Sequence, residues 1–144
     1  MILIIFIAAG SIGAVVILSK KNPSTTLTTH SKTIVNGTAN VNASAYTDYL
    51  FTIPSGATNI HVTGTFTVQG NGSIDVYIFD STNFAIYKNG GDFGPLYQSG
   101  QINTATIDAN LYSSGKYYLV LDNLFPPIEQ KTVNIQTNVT YLAP

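Results

Sequence analysis

The sequence predicts a mainly β protein: an apolar N-terminal α-helix followed by an antiparallel, immunoglobulin-like β-sandwich of about seven strands. Residues 1–19 carry no charge, and Ser11 and Ser19 are their only polar side chains. From Lys32 the hydrophobic period switches to two, the period of a strand with one face buried. Turn residues then break the chain into runs of 5–10 residues, the spacing of a sandwich. These features divide the chain into a helix (1–19), a linker (20–31) and a sandwich domain (32–144).

Rising about 1.5 Å per residue, a helix over residues 1–19 is about 28 Å long, close to the ~30 Å hydrocarbon thickness of a bilayer. A run that is apolar all round must be surrounded by lipid or by other apolar helices. A cleavable secretory signal would need a basic leader and a later small-residue site. Here nothing basic precedes Ile2, and Ala8-Ala9-Gly10 comes too early. A membrane anchor fits in length, but Lys20 and Lys21 would hold the bulk of the chain in the cytoplasm. Four Asn-x-Ser/Thr sequons, at Asn36, Asn42, Asn71 and Asn138, suit an exported chain instead. The third reading is a filament subunit. Ile2, Leu3, Ile5, Phe6, Ile7, Ile12, Val16 and Ile17 supply apolar contact between copies, and Gly10, Gly13 and Ala14 allow close helix approach. Pro23 stops the helix, because the residue before a proline disfavours helical backbone.

Residues 20–31, KKNPSTTLTTHS, have linker chemistry and read as a tether, with His30 solvated within it. Thr33–Val35 and Thr38–Ala43 read as one strand interrupted near Asn36-Gly37. Tyr46–Ile53 alternates Tyr49, Phe51 and Ile53 against Asp48, Leu50 and Thr52, and Pro54-Ser55-Gly56 ends it. In Asn59–Val68, Ile60, Val62, Phe66 and Val68 share one face, where Gly64 marks a bulge or a close approach. Gln69-Gly-Asn-Gly-Ser73 reads as a hairpin turn. Ile74–Phe79 is apolar on both faces and therefore central. Asp80 then caps a helical turn containing Phe84, Ile86 and Tyr87, and residues 88–95 form a loop. Tyr97–Ala109 is a strand broken at Ser99-Gly100. Gly115–Asn123 is a second central strand. Thr132–Tyr141 turns Val133, Ile135, Val139 and Tyr141 inward and Asn134, Gln136, Asn138 and Thr140 outward.

Composition limits the function. Charged residues make up 9% of the chain, arginine and cysteine are absent, and seven carboxylates outnumber six lysines. Disulfides and thiolate metal sites are excluded, and the charge balance counts against a nucleic-acid partner. Neutral polar groups dominate the rest, as in exported or glycosylated proteins. No nucleophile, histidine and carboxylate come together in a catalytic pattern. His61 sits mid-strand among threonines, and no histidine pair has metal spacing. Asp75, Asp80, Asp92 and Asp122 raise the question of calcium, but no dense Asp-x-Asp loop occurs. Asp80 reads as a cap and Asp122-Asn123 as turn chemistry. No metal or cofactor is expected.

Two resemblances refine these expectations. A chain opening on an apolar helix resembles mature type IV pilins and archaellins, although the acidic residue many pilins carry near the helix start is absent. That resemblance implies a homopolymer with its helices in the core. Separately, Asp75-Val-Tyr-Ile-Phe-Asp80, the Phe84–Tyr87 turn, Tyr97-Gln-Ser-Gly100, Gly115-Lys-Tyr-Tyr-Leu-Val-Leu-Asp-Asn123 and Lys131-Thr-Val133 resemble prokaryotic GOLD-like (Golgi-dynamics) β-sandwich modules over about residues 45–142. This second resemblance implies a non-catalytic interaction domain. The combined expectation is a non-enzymatic, archaeal-type extracellular filament subunit for adhesion, its sandwich glycosylated at the sequons and its outward strand faces carrying lateral contacts. The alternative is a cell-surface GOLD-like binding module held in membrane lipid by a single helix.

Overall fold

The computed structural model describes residues 25–126 and 129–144. The helix expected over residues 1–19, with the assembly residues Ile2 to Ile17, lies outside the described residues. No helix among the described residues is long and apolar enough to cross a membrane.

Among the described residues, eight strands and one short helix follow in order: β1 (Thr28–Val41), β2 (Ala45–Ile53), β3 (Thr58–Val68), β4 (Asp75–Asp80), α1 (Ser81–Lys88), β5 (Tyr97–Gln98), β6 (Thr104–Leu111), β7 (Gly115–Asn123) and β8 (Lys131–Ala143). They form two four-stranded antiparallel sheets, ordered β1-β8-β3-β6 and β2-β7-β4-β5. The period-two faces meet between the sheets. Val41, Phe51, Val62, Phe66, Ile107, Leu119 and Val139 are all at most 2% exposed there, and burying each such side chain stabilises the fold by about 1.5–3 kcal/mol.

Several expectations change in register and connection. The tether gives way to strand at Thr28, because Thr28 to Ser31 pair with Ala143 to Thr140. His30 is thereby drawn against Tyr141, with ring centroids 5.4 Å apart and nearly parallel. The interruption in β1 is a bulge between Thr33 and Val35 rather than a break at Asn36-Gly37. The 69–73 turn is not a hairpin, since β3 and β4 belong to different sheets. Its carbonyls are captured from elsewhere: the Asn103 side-chain amide donates to Val68 O at 3.1 Å, Gly70 O at 3.0 Å and Gly72 O at 2.7 Å. Tyr97–Ala109 likewise divides into β5 and β6, one in each sheet. The expected count of seven strands therefore becomes eight. Asp122-Asn123 is strand rather than turn, and both residues are buried.

Gly64 marks a close approach. It pairs with Thr137 on β8 and Ile107 on β6. A β-carbon there would meet the Gln136 carbonyl oxygen and come within 2.8 Å of the Thr137 Cα and Oγ1. Thr137 is fully buried and its hydroxyl has no partner among the described residues. Gly64→Ala is expected to destabilise by about 2–3 kcal/mol, because backbone cannot yield as a side-chain tip can. Thr137→Val is expected to stabilise by about 1 kcal/mol by removing an unpaired buried hydroxyl. Denaturant titration of both variants checks the pair, and loss of stability in Thr137→Val would contradict it.

Candidate functional site

Antiparallel register gives the sandwich two distinct poles. Thr28 and Ala143 pair at one end of sheet one, and Val41 and Lys131 at the other. At about 3.3 Å per residue the ends of β1 are about 43 Å apart. The chain enters the fold at the Thr28 pole. Asn42 and Asn71 lie exposed just beyond the opposite ends of β1 and β3. Asn36 is exposed in the half of β1 nearer that far pole, and Asn138 is half-buried opposite Thr33 near mid-strand. None of the four sequon asparagines is at the entry pole.

The outer face of sheet one is a lattice of neutral polar side chains. Thr38 Oγ1 donates to Asn134 Oδ1 at 2.9 Å, and Thr33 Oγ1 to Asn138 Oδ1 at 2.9 Å. The Thr132 hydroxyl donates to Asn40 Oδ1 at 3.0 Å, and the Thr67 and Thr104 hydroxyls share a bond of 2.9 Å. Such cross-strand pairs each contribute roughly 0.2–1 kcal/mol. His61 stands 2.7 Å from Asp108 on this face; both are substantially exposed, so the contact adds little stability. An open trough of about 370 Å³ runs between two lattice rows, lined by Asn36, Gly37, Thr38, Thr65, Thr67, Asn134 and Gln136.

The outer face of sheet two is different. Asp80 caps α1, accepting from Asn83 N at 2.8 Å, and this cap turns the helix back over β4 and β7. Phe84 then stacks on Tyr118 with centroids 4.0 Å apart, and Tyr87 stacks on Phe79 at 5.2 Å. Tyr46, Tyr77 and Phe93 complete an aromatic layer around Tyr87. Beneath it, register brings Asp75 opposite Asp122, with exposures of only 5% and 7%.

Each carboxylate is fully engaged. Asp75 Oδ2 accepts from the Tyr77 hydroxyl at 2.9 Å and from Gln98 Nε2 at 2.8 Å, and Ser99 Oγ lies 3.4 Å from Asp75 Oδ1. Asp122 Oδ2 accepts from the Tyr87 hydroxyl at 3.0 Å and Asp122 Oδ1 from Leu124 N at 2.7 Å. Burial pushes the Asp122 carboxyl above the usual carboxylate range, against the Leu124 and Tyr87 hydrogen bonds that favour its charge, and the Asp75 charge adds to the rise. Burial also raises the phenols of Tyr77 and Tyr87, followed for Tyr77 by its bond to Asp75 and for Tyr87 by the charge of Asp122.

The aspartates considered for calcium therefore separate. Asp80 is a cap, Asp92 is exposed in the loop after α1, and only Asp75 and Asp122 come together. Among the described residues no group of three potential metal ligands forms. The paired aspartates were missed as a unit because each looks local. The available signal was an ionisable residue inside a strand apolar on both faces, which cannot reach solvent.

No family model matches the chain, and no curated protein matches it. Among solved structures, the fold is similar to a pilus subunit of Bacillus endospore appendages, described as a novel family of disulfide-linked pili. The TM-score is 0.51 at 12% identity, over 88% of this chain and 98% of that one. More distant likenesses are the Yersinia pseudotuberculosis-derived mitogen (TM-score 0.39, 7% identity, 82% and 85% covered) and a chain of infectious bursal disease virus Gx strain (0.44, 11%, 94% and 36%). At these identities the likeness is one of fold, and the two lower scores add nothing to it.

The buried carboxylate has a consequence for pH. With its folded pKa raised, Asp122 holds a proton in the folded state where the unfolded chain has lost it. Its contribution to stability is therefore full below about pH 3.8 and is lost as pH rises through the higher folded value. Asp122→Asn cannot ionise, so its melting temperature is expected to fall less than the wild type's between about pH 4 and about pH 7. Parallel thermal melts across that range check this, and identical slopes would refute it.

Proposed function

We propose that this chain is a non-enzymatic structural subunit of an extracellular, pilus-like filament of archaeal type. Its apolar segment bundles with copies of itself, and its sandwich forms an outer, sequon-bearing sheath used in adhesion. The observation that carries this reading is polarity. The wholly apolar residues 2–10 and 12–18 lead toward the pole at Thr28, while Asn42 and Asn71 lie at the opposite end, Asn36 in the half of β1 nearer that end and Asn138 near mid-strand. A subunit rooted at one end and solvated at the other has this arrangement. The likeness of fold to a pilus subunit agrees with it. The two buried carboxylates, which would be the natural candidates for acid–base chemistry, have their oxygens engaged by side chains and backbone. That supports a structural role for them.

A second reading has a specific observation behind it. The apolar run matches the hydrocarbon thickness of a bilayer as well as it matches a helical bundle. On that reading the chain is a cell-surface, GOLD-like module held in lipid by one helix and binding an envelope partner.

The two readings part on a single preparation. Full-length protein from its native source is expected to sediment as fibres in negative-stain images without membrane, and deletion of residues 1–21 is expected to abolish the fibres. Material that stays with vesicles and is released as single particles by detergent would favour the anchor.

A further inference from the structure

The trough on sheet one is uncharged and lined with amides and hydroxyls. Gly37 lies opposite Ile135 with no side chain, while Asn36, Gln136 and Thr65 stand in one row across β1, β8 and β3. Their neighbours Thr38, Asn134 and Thr67 spend their hydrogen bonds on one another or on adjacent strands. Among the described residues, by contrast, the side chains of Asn36, Gln136 and Thr65 make no such bond, and all three are exposed. Among the described residues Phe66 is the only aromatic one at the trough, and it is 1% exposed, so it offers no stacking platform. A free sugar would gain only solvent-exposed neutral hydrogen bonds here, each worth roughly 0.5–1.5 kcal/mol, less than free association costs. A sugar already tethered at the rim avoids that cost, because its effective concentration is of millimolar order.

Asn36 is on that rim and opens the sequon Asn36-Gly37-Thr38. We propose that an N-linked glycan on Asn36 lies in this trough, its first sugar hydroxyls bonded to Gln136 and Thr65, which makes the outer face of sheet one a carbohydrate-covered surface. The proposal rests on the exported reading above. The other sequons lack such a seat: Asn138 Oδ1 is held by Thr33, Asn42 Oδ1 accepts from Gln130, and Asn71 is not among the residues lining the trough. Attachment joins Asn36 Nδ2 to the anomeric carbon of a polyprenyl phosphate- or diphosphate-linked oligosaccharide. Nδ2 loses a proton, and the lipid phosphate departs with the electron pair of the broken sugar–oxygen bond. The folded sheet ties the sequon hydroxyl of Thr38 to Asn134, and before β8 pairs with β1 that hydroxyl is free for the transferring enzyme. That order is available because β8 is synthesised well after β1.

The test uses full-length protein from its native source. Peptide mass spectrometry is expected to find a glycan on Asn36. An amidase that cleaves the sugar–asparagine bond is expected to release it from the folded protein about tenfold faster in a Gln136→Ala/Thr65→Val variant than in the wild type, two hydrogen bonds being lost. Release from Asn42, if occupied, serves as the internal reference and is expected to be unchanged. An unmodified Asn36 beside a modified Asn42 or Asn71 overturns the proposal while leaving the exported reading intact. Equal release rates in wild type and variant overturn the seat. Chains modified at no sequon overturn the proposal too, while fibre imaging tests the filament reading independently.

Discussion

The pairing of the first and last strands, β1 with β8, is the constraint on which the rest depends. It joins residues 115 positions apart at one end, Thr28 with Ala143, and 90 apart at the other, Val41 with Lys131, along the whole length of sheet one. Loop closure over that span carries an entropic cost that grows only slowly with length, whereas the pairing engages a long ladder of backbone hydrogen bonds. Once made, it fixes the poles, because β8 runs back to the side where β1 began. It also aligns the neutral side chains of β1 and β8 into the outer lattice and opens the trough beside Gly37.

The two outer faces of the sandwich manage exposure in different ways. Sheet one is solvated by threonine and asparagine that bond across strands and need no cover. Sheet two would expose tyrosine, phenylalanine and valine, so α1 and the loop containing Phe93 close over it. Covering that face also buries Asp75 and Asp122, which can stay there only because tyrosine hydroxyls, an amide and a backbone N–H accompany them. Buried carboxylates are tolerated when hydrogen-bonded and costly otherwise, so the helix and the carboxylates depend on each other through Tyr87. Its ring packs in the aromatic layer and its hydroxyl donates to Asp122.

The strands themselves were legible. Alternation in Asn59–Val68 and Thr132–Tyr141 reports which side chains turn inward, and Ile60, Val62, Phe66, Val133, Ile135 and Val139 are buried as that alternation requires. The Asp80 cap was legible for the same reason, since a carboxylate three residues before an amide N–H is a local arrangement. The turn at 69–73 was misread because an Asn-Gly pair says that the chain turns, not which sheet it turns into. The turn's carbonyls are held by Asn103, more than thirty residues from Gly72. The sequons could be read, but not the placement of Asn42 and Asn71 at the pole opposite Thr28.

Residue order alone determined which segments extend, which faces turn inward, the apolar stretch ahead of the sandwich and the absence of thiolate chemistry. These follow from the side-chain period, from backbone restriction and from composition, all of which act within a few residues. Sheet membership, the meeting of Asp75 with Asp122, the close approach of β8 to Gly64 and the trough beside Asn36 were decided by tertiary structure. Each is a contact between distant residues, and its partner is selected by register and shape across the assembled sheets.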